Sequence, residues 1–106
     1  MTIMRQWHGE VAIDKANDYE QFMIDRAAPD YASIPGLLHL FFTRKDETDK
    51  AHFLLVTIWD SMDSIKAFAG QQPELAKYYP EDTNFLLSKE KHSAMYDIFY
   101  QQTNND

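Results

Sequence analysis

The order of periodicities along this 106-residue chain predicts an α+β domain. Three observations carry that reading. An alternating stretch opens the chain. Two central runs are rich in β-branched and aromatic residues. Two segments with helical spacing separate these strands from one another and from a final alternating run, giving the order strand, helix, strand, strand, helix, strand.

Residues 3–13 alternate: Ile3, Arg5, Trp7, Gly9, Val11 and Ile13 on one side, Gln6, His8 and Glu10 on the other. This is the first strand, and Gly9 marks either a bulge or a close approach by a ligand. Tyr19, Phe22, Met23 and Ala27 then form a helical stripe. Asp14 or Asn17 is placed to cap that helix, with Glu20 completing a capping box after Asn17. Pro29 removes a backbone donor, so a break or kink is expected there, followed by a turn at residues 30–33. Pro35-Gly36 is a turn signal. Residues 37–44 and 51–59 are the second and third strands, joined by the polar stretch 45–50. Ser61 caps the second helix, whose Ile65, Phe68 and Ala69 face inward and whose end is set by Gly70. Pro73 is placed at N1 of a further short helix carrying Leu75, Ala76 and Tyr79. Phe85, Leu86 and Leu87 form a short apolar segment, and residues 92–101 alternate as the last strand. The resulting βαββαβ order is the ferredoxin-like arrangement.

Residues 1–100 are read as a single domain and 101–106 as a polar tail. A chain of this size buries roughly 65% of its unfolded surface, enough for one core. Aromatic residues make up 14% of the chain, so bulky surface has to be covered somewhere. The second and third strands are apolar on both faces and need cover on two sides. So short a chain has few helices to supply it, and a second copy of the chain is the economical cover. The net charge of −7 is spread along the chain, which argues against nucleic-acid and anionic-membrane partners. Cysteine is absent, excluding disulfides, thiolate catalysis and Cys-based zinc sites. No apolar run approaches the roughly 20 residues of a membrane helix. The first ten residues lack the apolar core of a secretory signal, and a cytoplasmic location is expected. His8, His39, His52 and His92 fall one per expected strand with no H-x-H or H-x-x-x-H spacing, so each is read as a separate residue. With no Gly-rich phosphate loop either, no metal, flavin or haem is expected.

Several motifs together resemble the antibiotic-biosynthesis-monooxygenase-like proteins of the dimeric α/β-barrel group. They are Arg5-x-Trp7-x-Gly9-x-Val11, Tyr19-x-x-Phe22, Ile34-Pro35-Gly36, Thr57-x-Trp59-Asp60-Ser61, Ile65-x-x-Phe68-Ala69-Gly70 and Ala76-x-Tyr78-Tyr79-Pro80-Glu81-Asp82. The resemblance implies a homodimer in which one sheet face meets the partner and the other the helices. It also implies a pocket between sheet and helices. Period two puts Phe53, Leu55, Thr57 and Trp59 on one face, shared with Arg5, Trp7 and Gly9. Tyr19, Phe22, Ile65 and Phe68 would roof the space.

Cofactor-free members of the group resemble cages for an electron-rich phenol or hydroquinone that, once deprotonated, gives electrons to O₂. This makes the chain a candidate cofactor-independent monooxygenase for a small aromatic or polycyclic substrate. Trp7, Tyr19, Phe22, Trp59, Phe68 and Tyr78 are the candidate substrate-binding residues, and Trp59, Arg5 and Tyr78 the candidate catalytic ones. The alternative is a non-catalytic dimeric barrel that binds a small ligand or serves an assembly. On that reading the aromatics are core with tethered polar tips, Arg5 pairs with a carboxylate, and Glu81-Asp82 is a set of loop charges. Haem-degrading members resemble the chain at Trp59 but use an Asn on strand one and a His on the second helix. The corresponding places here hold Gly9 and, approximately, Ala69, so no axial iron ligand is expected.

Overall fold

The computed structural model describes residues 1–76 and 78–104, so that Lys77 and the last two residues of the polar tail lie outside it. A four-stranded antiparallel sheet is built from β1 (Ile3–Ala12), β2 (Leu37–Asp46), β3 (Lys50–Trp59) and β4 (Ala94–Asp97), in the order β2-β3-β1-β4. This is the βαββαβ topology that the periodicities predict. The central pair β1 and β3 sets Arg5 opposite Thr57, Trp7 opposite Leu55 and Gly9 opposite Phe53. Burial alternates without a break along β1. The face that carries Ile3, Arg5, Trp7, Gly9 and Val11 is covered by the helices. The other face, with Met4, Leu54, Val56, Ile58 and the exposed Phe41 and Tyr96, is covered by no helix among the described residues; Ile98, Gln101 and Thr103 border it only beside His39, Phe41 and Ile58. Gly9 sits in unbroken pairing. Its missing side chain is explained by Trp7, since a Cβ there would lie 2.4 Å from the indole Cη2.

The core has two centres. Trp7, Val11, Tyr19, Met23 and Phe53 form one, and Ile3, Trp59 and Ile65 the other. The first helical region begins as a 3-10 turn and continues as α1 (Ala16–Phe22), a π-helical turn (Met23–Ala27) and α2 (Ala28–Tyr31). Of the break or kink expected at Pro29, the break does not occur: the helical region runs on to Tyr31, with an irregular turn just before the proline. The ring of a proline clashes with the carbonyl four residues back. Here the turn just before it is widened, with Ala28 N–H bonded to Met23 O, and Pro29 falls in the first turn of α2. Nor does Asn17 form a capping box. It accepts a hydrogen bond from Arg44 Nη1 at 2.9 Å, and Glu20 pairs with the same guanidinium at 3.2 Å, tying α1 to β2.

Other expectations are also corrected. The polar connection 45–50 shrinks to three residues, because Glu47 N–H bonds to Lys50 O at 2.8 Å and the strands pair up to that point. Pro73 opens no helix. Leu75 instead bridges His92, Ala76 N–H bonds Lys91 O, and the helical turn comes at Pro80–Asn84. The last strand is short: it pairs only with Ile3–Gln6 of β1, whose far end is bridged at Val11 by Leu86. His8 and His52 are not separate: the β1–β3 register brings them 2.9 Å apart on the uncovered face.

α3 (Met62–Ala69) starts where Ser61 Oγ accepts from Ser64 N–H at 3.2 Å, and ends at Gly70 with φ 94° and ψ −175°. Gly36 has φ 84°, and its carbonyl accepts from Asp60 N–H at 2.9 Å. A Cβ at Gly36 would lie 2.1 Å from Ser64 Oγ and 2.6 Å from Asp60 Oδ1, whereas one at Gly70 meets nothing. Both alanine substitutions therefore carry backbone strain of about 1–3 kcal/mol, and Gly36→Ala adds a clash with the Ser64 and Asp60 side chains. We expect both variants to melt below wild type, at roughly 4–8 °C per kcal/mol, with Gly36→Ala lower than Gly70→Ala. Equal melting temperatures in calorimetry would rule out the steric part.

Candidate functional site

Between the covered sheet face and the first helical region lies a hollow of ≈ 40 Å³. β1 contributes Arg5 and Trp7, and β3 contributes Leu55 and Thr57. The helical region contributes Tyr19, Met23, Ala27 and Tyr31, while Tyr79 and Asp82 close the space from the connection after α3. The four helical residues are each four apart. In a uniform α-helix, at 3.6 residues per turn, twelve residues drift about 120° around the axis. The π turn at Met23–Ala27 accommodates one extra residue and takes back about 100° of that drift. This is how Tyr19 and Tyr31 come to face the same hollow.

Arg5 is 6% exposed. Its Nε donates to Pro73 O at 3.1 Å and its Nη2 to Leu75 O at 3.0 Å, which pins the connection over the sheet. It makes no ion pair among the described residues. Burial lowers its pKa and Tyr31 opposes that change, yet an arginine stays charged in a protein. Its positive charge therefore faces the hollow without a directly paired carboxylate. Asp82, 4% exposed, lines the same space. It accepts from Tyr79 N–H at 2.7 Å through Oδ2 and from Tyr19 O–H at 3.2 Å through Oδ1. Burial pushes its carboxyl above the usual value, although those two hydrogen bonds pull it down. Burial and then the charge of Asp82 push the Tyr19 phenol far up. Burial also raises Tyr31, against the pull of Arg5. The lining has no histidine and one carboxylate, too few ligands for a metal.

Of the residues singled out from the sequence, Arg5, Trp7 and Tyr19 line the hollow and the others stand behind it. Tyr78 accepts from Trp7 Nε1 at 3.1 Å and donates to Glu90 O, which fixes the indole. Phe22 stacks on Tyr19 with ring centres 5.8 Å apart. Trp59 is fully buried and packs on Phe68 at 5.4 Å. It reaches the hollow through one atom, since its Nε1 donates at 2.8 Å to Thr57 Oγ1, which in turn donates to Arg5 O at 3.2 Å. Phe68 also packs on Tyr31 at 5.4 Å. Sequence reasoning placed Thr57 on the pocket face without a role of its own, and missed Tyr31, Tyr79 and Asp82 as lining residues. Tyr31 continues the four-residue spacing of Tyr19, Met23 and Ala27, and Thr57 precedes Trp59 by two on one face. Those signals were present. Asp82 gave none beyond standing three residues after Tyr79. Met23 also borders a second, wider hollow of ≈ 210 Å³ between α1 and β2, lined by Ile24, Phe42 and Phe53.

No protein-family model matches the sequence, and no curated protein is significantly similar to it. Solved structures share its fold. A candidate antibiotic biosynthesis monooxygenase from Bacillus cereus superposes with a TM-score of 0.67 at 12% identity, over 100% of this chain and 99% of that one. Another from Nitrosomonas europaea gives 0.68 at 13% identity, over 96% and 94%. The haem degrader MhuD from Mycobacterium tuberculosis, with two haems in its active site, gives 0.65 at 15% identity, over 97% and 100%. The chain has the fold of the antibiotic biosynthesis monooxygenases.

The raised Asp82 gives a pH signature. A carboxyl that holds its proton more tightly when folded adds stability that is fully present below its ordinary pKa of 3.8 and lost as pH rises through the raised value. We expect the stability of wild type relative to Asp82→Asn, from urea titrations at a series of pH values, to fall from pH 3.8 upward and then level off. A difference independent of pH would show an unperturbed carboxyl.

Proposed function

We propose that the chain binds a small aromatic molecule with an ionisable hydroxyl between sheet and helices and acts on it as a cofactor-independent monooxygenase. The observation that carries this reading is Arg5, a buried guanidinium that lines the hollow and has no ion-pair partner among the described residues. An anionic oxygen is the ligand that such a group stabilises most. Asp82, on the same wall with its carboxyl raised by burial, is suited to take the proton from the hydroxyl. Trp7 and Tyr19 give flat apolar walls for the ring. Tyr78 and Phe22 hold those two in place, and Trp59, backed by Phe68, acts on the site only by orienting Thr57. The phenolate form of the substrate supplies all four electrons that reduce O₂. One oxygen atom remains in the product as a new carbonyl, and the other leaves with two substrate hydrogens as water.

A hollow of ≈ 40 Å³ holds O₂ or a few waters but no aromatic ring. Room comes from the neighbouring hollow of ≈ 210 Å³, because Met23 belongs to both walls. A methionine side chain turns at three bonds, and its displacement joins the two spaces. The haem chemistry of MhuD is not carried over, since α3 has the sequence MDSIKAFA and offers no histidine for iron. The apolar outer sheet face also supports a homodimer, with the face of Phe41, Val56 and Ile58 against a second copy. A specific observation favours the second reading, a non-catalytic barrel: Trp59 is fully buried and the hollow is small.

Oxygen uptake with a panel of hydroquinones and polycyclic phenols separates the two readings. On the enzymatic reading, wild type consumes O₂ with at least one member, and Asp82→Asn is slower by roughly 100-fold, the scale of one general base. Arg5→Met should raise KM and abolish the melting shift given by the ligand, while Arg5→Lys keeps part of it. A panel that neither shifts the melt nor consumes O₂ favours the non-catalytic barrel. For the dimer, light scattering at micromolar concentration should give twice the chain mass, and Val56→Glu should give the monomer. A monomeric wild type would overturn the pairing.

A further inference from the structure

The uncovered sheet face carries a cluster that the function proposed above does not use. Glu10 lies directly opposite His52 in the β1–β3 ladder, and His8, two residues before Glu10, lies diagonal to the same histidine. Their ligand atoms all fall within 4.8 Å of one another. His8 Nε2 and His52 Nδ1 face each other at 2.9 Å. The remaining nitrogen of each ring faces a carboxylate, His8 Nδ1 at 2.8 Å from Glu90 Oε1 and His52 Nε2 at 2.7 Å from Glu47 Oε1.

Hydrogen placement decides what this row can hold. An ionised carboxylate only accepts, so both outer nitrogens carry their proton. In two neutral rings the inner nitrogens are then both bare. Two lone pairs at 2.9 Å repel unless a cation lies between them. A single proton would do, and so would a metal ion. The arrangement matches the second option in three respects. The inner nitrogens are the two that a metal would take. The outer N–H groups are each held by a carboxylate, as in the carboxylate–histidine–metal arrangement that fixes tautomer and ring orientation. A third ligand, Glu10, stands on the same face. Two nitrogens at about 2.05 Å from a tetrahedral zinc are about 3.3 Å apart, so the rings need to part by only about 0.4 Å.

We propose that His8 Nε2, His52 Nδ1 and the Glu10 carboxylate bind one divalent transition-metal ion of the zinc type, oriented by Glu90 and Glu47. Two imidazoles and a carboxylate with no thiolate suit zinc or cobalt better than calcium or magnesium. Water fills the fourth position. The opposing charges are Lys50, whose Nζ sits 2.9 Å from Glu10 Oε2, and Lys45, the exposed cross-strand partner of His52. The other oxygen of Glu10 has no hydrogen-bond partner among the described residues and is the one available to the ion. The same histidines border an open hollow walled by Thr43, Lys45 and Leu54, by which an ion reaches them.

The test is calorimetric titration of the chelator-treated chain with Zn²⁺, together with visible spectra on adding Co²⁺. One ion per chain is expected, with a rise in melting temperature. His8→Gln and His52→Gln should each weaken binding roughly 100-fold or more, and Glu90→Gln roughly 10–100-fold, the range for a group that orients a metal-bound histidine. His39→Gln and His92→Gln should change nothing. Lys50→Met removes a positive charge beside the ion and should tighten binding. Absence of Zn²⁺ and Co²⁺ binding by the wild type would overturn the proposal in favour of a shared proton. So would binding that survives loss of either histidine, or binding that weakens in Lys50→Met.

Discussion

The register of the β1–β3 ladder is the constraint on which the rest of the molecule depends. Side chains in a strand alternate with a period of two, so slipping the pair by one residue would exchange every buried group for an outward one. As it stands, Trp7 pairs with Leu55 and Arg5 with Thr57 on the helix side, while Glu10 pairs with His52 on the other. One ladder thus defines two chemically distinct surfaces. The first is a mostly apolar wall interrupted by a guanidinium and a hydroxyl. The second is an apolar field with an ionic cluster of histidines and glutamates at one end.

Burying a cation at the centre of so small a core is costly unless its donors are satisfied. Arg5 meets that cost through the carbonyls of Pro73 and Leu75. Those bonds also hold an otherwise irregular segment over the sheet. The same segment delivers Tyr78 to Trp7 and Tyr79 and Asp82 to the hollow. A single buried charge therefore organises both the cover of the site and its electrostatics. The charge that remains toward the hollow is the observation from which an anionic oxygen is proposed as its occupant.

Strands and the second helix were legible because their signals are local. Alternation marks β1, and Ser61 and Gly70 bracket α3 through a side-chain cap and a left-handed exit. The shared face of Arg5, Trp7, Gly9 and Phe53, Leu55, Thr57 followed from period two. Two kinds of feature were not legible. Asp82 is a capping residue and a buried cavity wall at once, and only the fold of the long connection decides the second role. His8 and His52 are 44 residues apart, and no spacing rule applies across a ladder. Pro29 misled because helix-breaking assumes α geometry, which the preceding turn abandons. Asn17 and Glu20 misled because a guanidinium from β2 competes successfully for the groups a capping box would use.

The π turn has a consequence for how this helix can tolerate change in length. It is equivalent to one surplus residue wound into a regular helix, and it acts as a phase corrector between the two ends. Losing any one residue from the 23–27 stretch would let the segment relax into an ordinary α-helix with better hydrogen bonding. The gain would be local and the loss distant. Tyr31 and Asp30 would swing about 100° around the axis, separating Tyr31 from Phe68 and Asp30 from the Tyr79 hydroxyl that it accepts from at 2.6 Å. Helix regularity and cavity closure are thus antagonists in this chain, and the irregular form is the one that lets both ends of the helix face one site.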